Sequence, residues 1–131
     1  MSPGRITLTL AHSPDPDDVF MWWPITGKID PANPARIVEP PVLETGRFSF
    51  RAIPADIDVL NRRAIDSGDF DVTAISMFAW ARVADRYVLS RCGSSMGEGY
   101  GPKVVVREGA EQWQQAGVIA VPGVRTTAFL L

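Results

Sequence analysis

Segments with strand periodicity and segments with helical periodicity alternate along the first two thirds of this 131-residue chain. Residues 5–11, "RITLTLA", alternate Ile and Leu with Thr, which is typical of a half-buried strand. Residues 47–54, "RFSFRAIP", and residues 70–76, "FDVTAIS", predict two more strands. Because a helical segment follows each of them, the order β-α-β-α-β-α favours an α/β fold with a mainly parallel sheet and flanking helices.

Acidic residues and glycines mark the ends of the predicted helices. Asp15 or Asp17 can cap the first helix, and Asp56 can cap the second. Gly27 and Gly68 predict where these two helices end. The predicted apolar face of the first helix begins with Val19, Phe20 and Trp23. The apolar face of the second helix contains Ile57, Leu60, Ala64 and Ile65. The third helix is predicted over residues 77–85.

The pattern is different outside these segments. Residues 28–46 are rich in proline and predict a loop or an edge excursion. After residue 85 two strands are predicted in succession, residues 86–94 and 102–108, with a glycine-rich connection between them. The remaining predictions are a short helical or loop segment at 108–117, a strand at 118–123 and a helix that begins at 124. The chain stops inside that helix, so we expect a fragment of a longer protein.

Composition narrows the classes of partner. A net charge of −2 without a basic run gives no electrostatic reason to expect nucleic acid or an anionic membrane. No apolar stretch reaches the roughly 20 residues of a membrane span, and the first strand does not resemble a signal peptide. We therefore expect a cytoplasmic protein with no nucleic-acid or membrane partner. Cys92, the only cysteine, is interpreted as a small core residue after a strand.

The acidic loop "SPDPDD" leaves the carboxyl end of the first strand, where ligands of α/β sheets bind. Asp15, Asp17 and Asp18 lack the glycine and the distant glutamate of an EF-hand loop. Helix capping or pocket shaping explains them better, because each carboxylate in a first turn stabilises a helix by about 0.3–1 kcal/mol. We expect no metal here. His12, the only histidine, has no identified partner and is not assigned a catalytic role.

Two later junctions carry hydroxyl groups. Ser76 follows the third predicted strand, where its hydroxyl and the next amides can hold an anionic group or cap the following helix. Thr126 and Thr127 stand beside the start of the last predicted helix, after Gly123. This is a favourable position for a carboxylate or phosphate. Residue patterns leave the anion site and the simple cap both open.

Several of these motifs together resemble a known family. "SPDPDDVFM", the long stretch from "DIDVLNRRAIDSGDF" to "MGEGYGP", "KVVVRE" and "VIAVPGVRTTAFLL" are similar, in order and spacing, to the menaquinone-biosynthesis family of the futalosine route. The branch of 1,4-dihydroxy-6-naphthoate synthases is the most similar. That family usually has Ser-Pro-Cys-Pro-Asn-Asp-Thr-Phe where this chain has "SPDPDDVF", so Asp15, Asp17 and Val19 depart from its pattern.

The resemblance implies a type-2 periplasmic-binding-protein-like fold, here incomplete, with the ligand between two α/β lobes. It implies a lyase that releases 1,4-dihydroxy-6-naphthoate from cyclic dehypoxanthinylfutalosine without cofactor or metal. The family's proposed base is a histidine beyond residue 131, so no catalytic residue is assigned and the chain alone is expected to be inactive. The implied substrate-binding residues are Ser13, Asp18, Ala74, Ile75, Ser76, Thr126 and Thr127.

Residues 1–95 are expected to form most of lobe one, and residues 96–131 the crossover and the start of lobe two. The expected ligand is a small carboxylate. A non-catalytic solute-binding protein of a transporter and a chorismate dehydratase-like enzyme are the alternative functions. Because an incomplete lobe would leave apolar surface uncovered, we expect a homodimer or a swapped assembly of the chain.

Overall fold

A computed structural model describes residues 4–110, 112–115 and 117–131. It contains strands and helices in the order that the first two thirds of the sequence predict. The elements are β1 (Ile6–His12), α1 (Pro16–Thr26), β2 (Lys28–Asp30), β3 (Asn33–Glu39), β4 (Phe48–Pro54), α2 (Ile57–Asp66), β5 (Val72–Thr73), α3 (Met77–Trp80), a 3₁₀ turn (Trp113–Gln115) and α4 (Thr127–Leu130).

The main sheet has three parallel strands in the order β4-β1-β5. β1 pairs along its whole length with β4, from Ile6 opposite Phe48 to His12 opposite Pro54. On its other side, Leu10 and Ala11 pair with Val72 and Thr73 of β5. The predicted α/β class with a mainly parallel sheet and flanking helices is therefore confirmed.

The centre of the sheet is covered on both faces. Leu10 and Ala11 point to opposite faces of β1, and each is about 1% exposed. The chain runs from β1 through α1 to β4 and then returns through α2 past β1 to β5. Since crossovers between parallel strands are right-handed, this reversal of direction places α1 and α2 on opposite faces.

The second helix forms where the sequence predicts it. The Asp56 side chain accepts a hydrogen bond from the Asp58 amide at 2.8 Å, which satisfies one free donor of the first turn. Leu60 of α2 packs with Ala11 and Phe70 in the main apolar core. The helix ends before Gly68, whose amide donates to the Arg63 carbonyl at 2.8 Å with a φ of +64°.

The first helix ends at Gly27 as predicted, but two details of the prediction are wrong. Asp15 stands at the N-cap without a side-chain capping bond. Its backbone amide donates to the Ser13 hydroxyl at 2.9 Å. Phe20 is 76% exposed, whereas Val19 and Trp23 are half-buried. The core-facing side of α1 therefore does not include Phe20.

A loop or an edge excursion is predicted for residues 28–46, and the structure shows more regular pairing there than a loop. These residues contain an antiparallel pair, β2 and β3, in which Lys28 lies opposite Glu39. The two side chains also form an ion pair at 2.9 Å. Proline does not prevent this pairing, since Pro34 lies in a strand that pairs on one side only, and its missing N–H group is not needed there.

Three predicted strands are absent from the described part of the chain, at residues 86–94, 102–108 and 118–123. Val88, Val105 and Val118 are 93%, 89% and 88% exposed. A strand forms only where a neighbour supplies backbone hydrogen bonds, and these residues pair with no strand among the described residues. Cys92 is exposed in the first of these segments, so its interpretation as a core residue is wrong.

Two further elements are shorter than predicted. The strand expected at 70–76 is confined to Val72–Thr73, and the helix expected at 77–85 covers Met77–Trp80. After Trp80 the amides of Arg82 and Val83 bond three residues back, which makes tight turns rather than a continued α-helix. The last helix begins at Thr127 instead of 124. Within 108–117, Glu111 and Ala116 lie outside the described residues, and the rest contains the 3₁₀ turn.

Candidate functional site

The carboxyl edge of the sheet brings together two of the predicted groups of site residues. Ser13 and Asp18 follow β1, and the segment 74–76 follows β5, which is parallel and adjacent to β1. The chain leaves β1 toward β4 but reaches β5 from the other direction, so β1 and β5 flank the point where the connections diverge. Such a switch point is where α/β sheets bind their ligands. The topology therefore places both groups at one edge.

The loop after β1 is shaped by its own side chains. The Asp18 carboxylate accepts a hydrogen bond from the Ser13 amide at 2.9 Å. This bond joins the end of β1 to the first turn of α1. Burial raises the pKa of Asp18 above its ordinary value, and the Ser13 amide, which favours the charged form, opposes that shift. Asp18 thus holds the loop, consistent with the predicted shaping of a pocket wall rather than with capping by its side chain.

Asn61 is the site residue that sequence reasoning missed. It is fully buried on α2, where its side-chain oxygen accepts from the Ser76 amide at 2.9 Å. Its side-chain nitrogen donates to the Arg125 carbonyl at 2.8 Å. A signal was present, because Asn61 lies four residues after Ile57, within the apolar face of an amphipathic helix. A buried amide in that position needs polar partners, and it finds them in two distant segments.

The turn at Thr126 and Thr127 is fastened to the segment that follows β5. The Thr127 hydroxyl accepts a hydrogen bond from the Phe78 amide at 3.0 Å, so its own proton remains available to another acceptor. The Thr126 hydroxyl donates to the Gly123 carbonyl at 2.8 Å and accepts from the Phe129 amide at 3.2 Å. Thr126 is therefore occupied as a cap, whereas the Thr127 hydroxyl donates to no acceptor among the described residues.

Ser76 also caps the helix that it precedes. Its hydroxyl accepts from the Ala79 amide at 3.3 Å and lies 3.4 Å from the Arg125 carbonyl oxygen. The capping interpretation of Ser76 is confirmed. The amides of Phe78 and Ala79 are both used by side-chain oxygens, which leaves less of the first turn for an anion than the sequence predicted.

Glycine at position 123 allows the last segment to approach α2 closely. A Cβ atom there would lie 2.2 Å from the Asp58 carboxylate, and the φ of Gly123 is +140°. An exposed ion pair at 3.0 Å joins Arg125 to Asp66, the last residue of α2. Residues 123–127 are therefore anchored to α2 and to the end of β5 by backbone geometry and by side chains.

Among the described residues there is no group of three or more His, Cys, Asp or Glu side chains that could hold a metal ion. Asp15 at the N-cap and Asp17 and Asp18 in the first turn of α1 do not form such a group. The described helices also include none that is long and apolar enough to cross a membrane.

The parallel sheet and its flanking helices define an α/β protein, and the polar carboxyl edge at the switch point is its candidate ligand site. The chain belongs to the menaquinone biosynthesis family, whose model matches residues 8–131. It is similar to a 1,4-dihydroxy-6-naphthoate synthase of Thermus thermophilus, with 38% identity over 95% of this chain and 40% of that relative. It is also similar to one of Streptomyces coelicolor, with 34% identity over 95% of this chain and 39% of that relative.

The predicted resemblance to this family is thereby confirmed, and neither alternative function is favoured by the relatives. The chain spans about two fifths of the length of the curated relatives that it matches. The comparison with solved structures found no match.

Proposed function

We propose that this chain is part of a cytoplasmic 1,4-dihydroxy-6-naphthoate synthase, a lyase of the futalosine route that acts on cyclic dehypoxanthinylfutalosine. The observation that carries the proposal is the similarity to two such synthases over 95% of the chain. The match to the family model, residues 8–131, includes every predicted substrate-binding residue and the parallel edge. The chain alone is proposed to be inactive, since it covers about two fifths of those relatives.

The proposed site is a cleft of a type-2 periplasmic-binding-protein-like fold, with lobe one in residues 1–95 and the start of lobe two in residues 96–131. Contacts of Asn61 and Phe78 with the 125–127 segment support it, because they bring the later chain to the end of β5. In this arrangement the Thr127 hydroxyl, which has a free proton, donates to the carboxylate of the ligand. Ser13, Asp18, Ala74, Ile75, Ser76 and Thr126 form the walls.

The test is turnover by a polypeptide of the relatives' full length. Incubation with cyclic dehypoxanthinylfutalosine should release 1,4-dihydroxy-6-naphthoate, detected by mass spectrometry, while the 131-residue chain alone should release none. Thr127→Val removes the hydroxyl and keeps the shape, and it should raise KM by roughly 3- to 10-fold, the loss of one hydrogen bond. Thr7→Val, a substitution of the same kind near the opposite end of β1, is the matched control. Absence of product from the full-length protein would refute the proposal.

A further inference from the structure

A cavity of about 310 Å³ lies between α1, the β2–β3 hairpin and the ends of β1 and β4. Its size is at the lower end of that of small-molecule pockets, roughly 300–1,000 Å³. Its wall is mostly apolar. It includes the flat indole ring of Trp23, the saturated rings of Pro31 and Pro34, and the branched side chains of Val19 and Ile29. None of these residues is among those predicted from the sequence to bind substrate.

Three polar side chains reach this wall, and two of them already have partners. The Lys28 ammonium is paired with Glu39 at 2.9 Å. The Thr26 hydroxyl lies 3.0 Å from the carbonyl oxygens of both Trp22 and Gly27, so its proton is used within the backbone. His12 is the third polar residue of the wall.

His12 is only 3% exposed, and its Nδ1 atom lies 2.7 Å from the Ser13 carbonyl oxygen. A carbonyl accepts, so Nδ1 carries the proton in the neutral ring and Nε2 becomes an acceptor. Within the described residues Nε2 makes no hydrogen bond, and only Trp22 Nε1 is a fully enclosed side-chain nitrogen or oxygen without a partner. The Nε2 atom is therefore not fully enclosed, and His12 is one of the residues that line the cavity.

We propose that this cavity binds a planar apolar ring system whose hydroxyl group donates to His12 Nε2. The inference rests on the proposed function for its ligand, because 1,4-dihydroxy-6-naphthoate is a naphthalene ring with two hydroxyl groups and a carboxylate. The apolar wall with the flat indole of Trp23 matches the ring, and one acceptor in an apolar cavity matches a phenolic donor.

The cavity and the site at β5 share the carboxyl end of β1. The Ala11 carbonyl accepts from the Ala74 amide at 2.8 Å, which continues the pairing of β1 with β5. His12 thus lies beside the start of the 74–76 segment, about 5 Å away across one strand spacing. In the proposed binding mode the ring occupies the cavity and its carboxylate lies on the side of Ser76 and Thr127. His12 is then the residue that selects hydroxylated rings.

Calorimetric titration of the full-length protein tests this under anaerobic conditions, with 1,4-dihydroxy-6-naphthoate and with 2-naphthoate, which has the same ring and carboxylate but no hydroxyls. His12→Asn keeps a donor for the Ser13 carbonyl and removes the Nε2 acceptor. It should weaken the dihydroxy ligand by about 3- to 10-fold, the value of one hydrogen bond, and leave 2-naphthoate unchanged. His12→Gln, which restores an acceptor near the Nε2 position, should recover part of the loss.

Trp23→Leu should weaken both ligands, since it removes apolar wall area, whereas the matched Trp113→Leu, outside the cavity, should weaken neither. Equal loss of both ligands in His12→Asn, or no loss of either, would overturn the inference. Normal synthase turnover combined with that result would leave the proposed function standing. Binding that prefers the dihydroxy ligand and depends on His12, without any turnover, would instead support the proposed ligand site in the cavity and refute the proposed function.

Discussion

Two regions of the chain contain similar apolar patterns but adopt different structures. We call residues 6–87 the sheet region and residues 88–122 the connecting region. "ITLTLAH" in the sheet region is a central strand with Leu10 and Ala11 about 1% exposed. "KVVVRE" in the connecting region has Val104, Val105 and Val106 at 64%, 89% and 44% exposure and no strand. The first segment has β4 and β5 as neighbours, and the second has none among the described residues. A segment with high strand propensity therefore forms a strand only where a neighbouring strand pairs with it and a helix covers it.

The largest expected effect comes from the core of the sheet region. Leu60→Ala should lower the free energy of unfolding by about 2–5 kcal/mol, because Leu60 is fully buried against Ala11 and Phe70. Val105→Ala, in the connecting region, should change it by less than about 0.5 kcal/mol. Urea denaturation of both variants measures the difference. Similar losses in the two variants would show that the regions do not differ as described.

The next effect concerns the buried amide that joins the sheet region to the last segment. Asn61→Ala should cost roughly 1–3 kcal/mol, because the Ser76 amide and the Arg125 carbonyl lose their partner. Asn33→Ala is the control, since Asn33 is exposed on the hairpin and should contribute within about 0.5 kcal/mol. Thermal denaturation provides the comparison. An Asn61→Ala variant as stable as Asn33→Ala would mean that the last segment is not fastened through α2.

A smaller effect is expected where the connecting region ends. Gly123→Ala should destabilise the chain by about 1 kcal/mol or more, because its φ of +140° disfavours a side chain and its Cβ would meet the Asp58 carboxylate. Gly101→Ala has open space around it and should be close to neutral. Adding Asp58→Ala to Gly123→Ala should recover the part of the loss that comes from the contact. If the double variant recovers nothing, backbone strain alone explains the cost.

The smallest effect is a pH dependence at the edge between β1 and β5. The Asp71 carboxylate accepts from the Thr9 amide at 2.8 Å and from its hydroxyl at 2.7 Å, which lowers the pKa of Asp71 below its ordinary value of 3.8. The stability that this carboxylate contributes is therefore present above pH 3.8 and is lost as the pH falls through the lower folded-state pKa.

Asp71→Asn should consequently reduce stability at pH 7 and have less effect at pH 3, measured as the urea midpoint at each pH. Asp85→Asn is the control, since the Asp85 side chain makes no hydrogen bond or ion pair among the described residues. A constant difference between Asp71→Asn and the unsubstituted chain across this range would exclude the charge of Asp71 as the cause.

Local chemistry was sufficient to predict β1, β4 and α2 and the ends of the first two helices. Asp56 begins α2, Gly27 and Gly68 follow the ends of helices, and the alternation of residues 5–11 and 47–54 marks β1 and β4. These features depend on residues that are close in the sequence, so they can be predicted from a sequence pattern. The order of strands and helices then made a parallel sheet the expected arrangement, and its carboxyl edge the expected site.

Tertiary structure alone decided the rest. The strand patterns of residues 102–108 and 118–123 needed a partner that the described chain does not supply, and the prolines after Gly27 did not prevent a hairpin that pairs on one side. Asn61 became the link between Ser76 and Arg125, and His12 became part of a cavity wall, through contacts with distant segments. Local patterns indicate which backbone a segment prefers, but the partner of a buried polar group or of a strand edge is chosen only when the whole chain has packed.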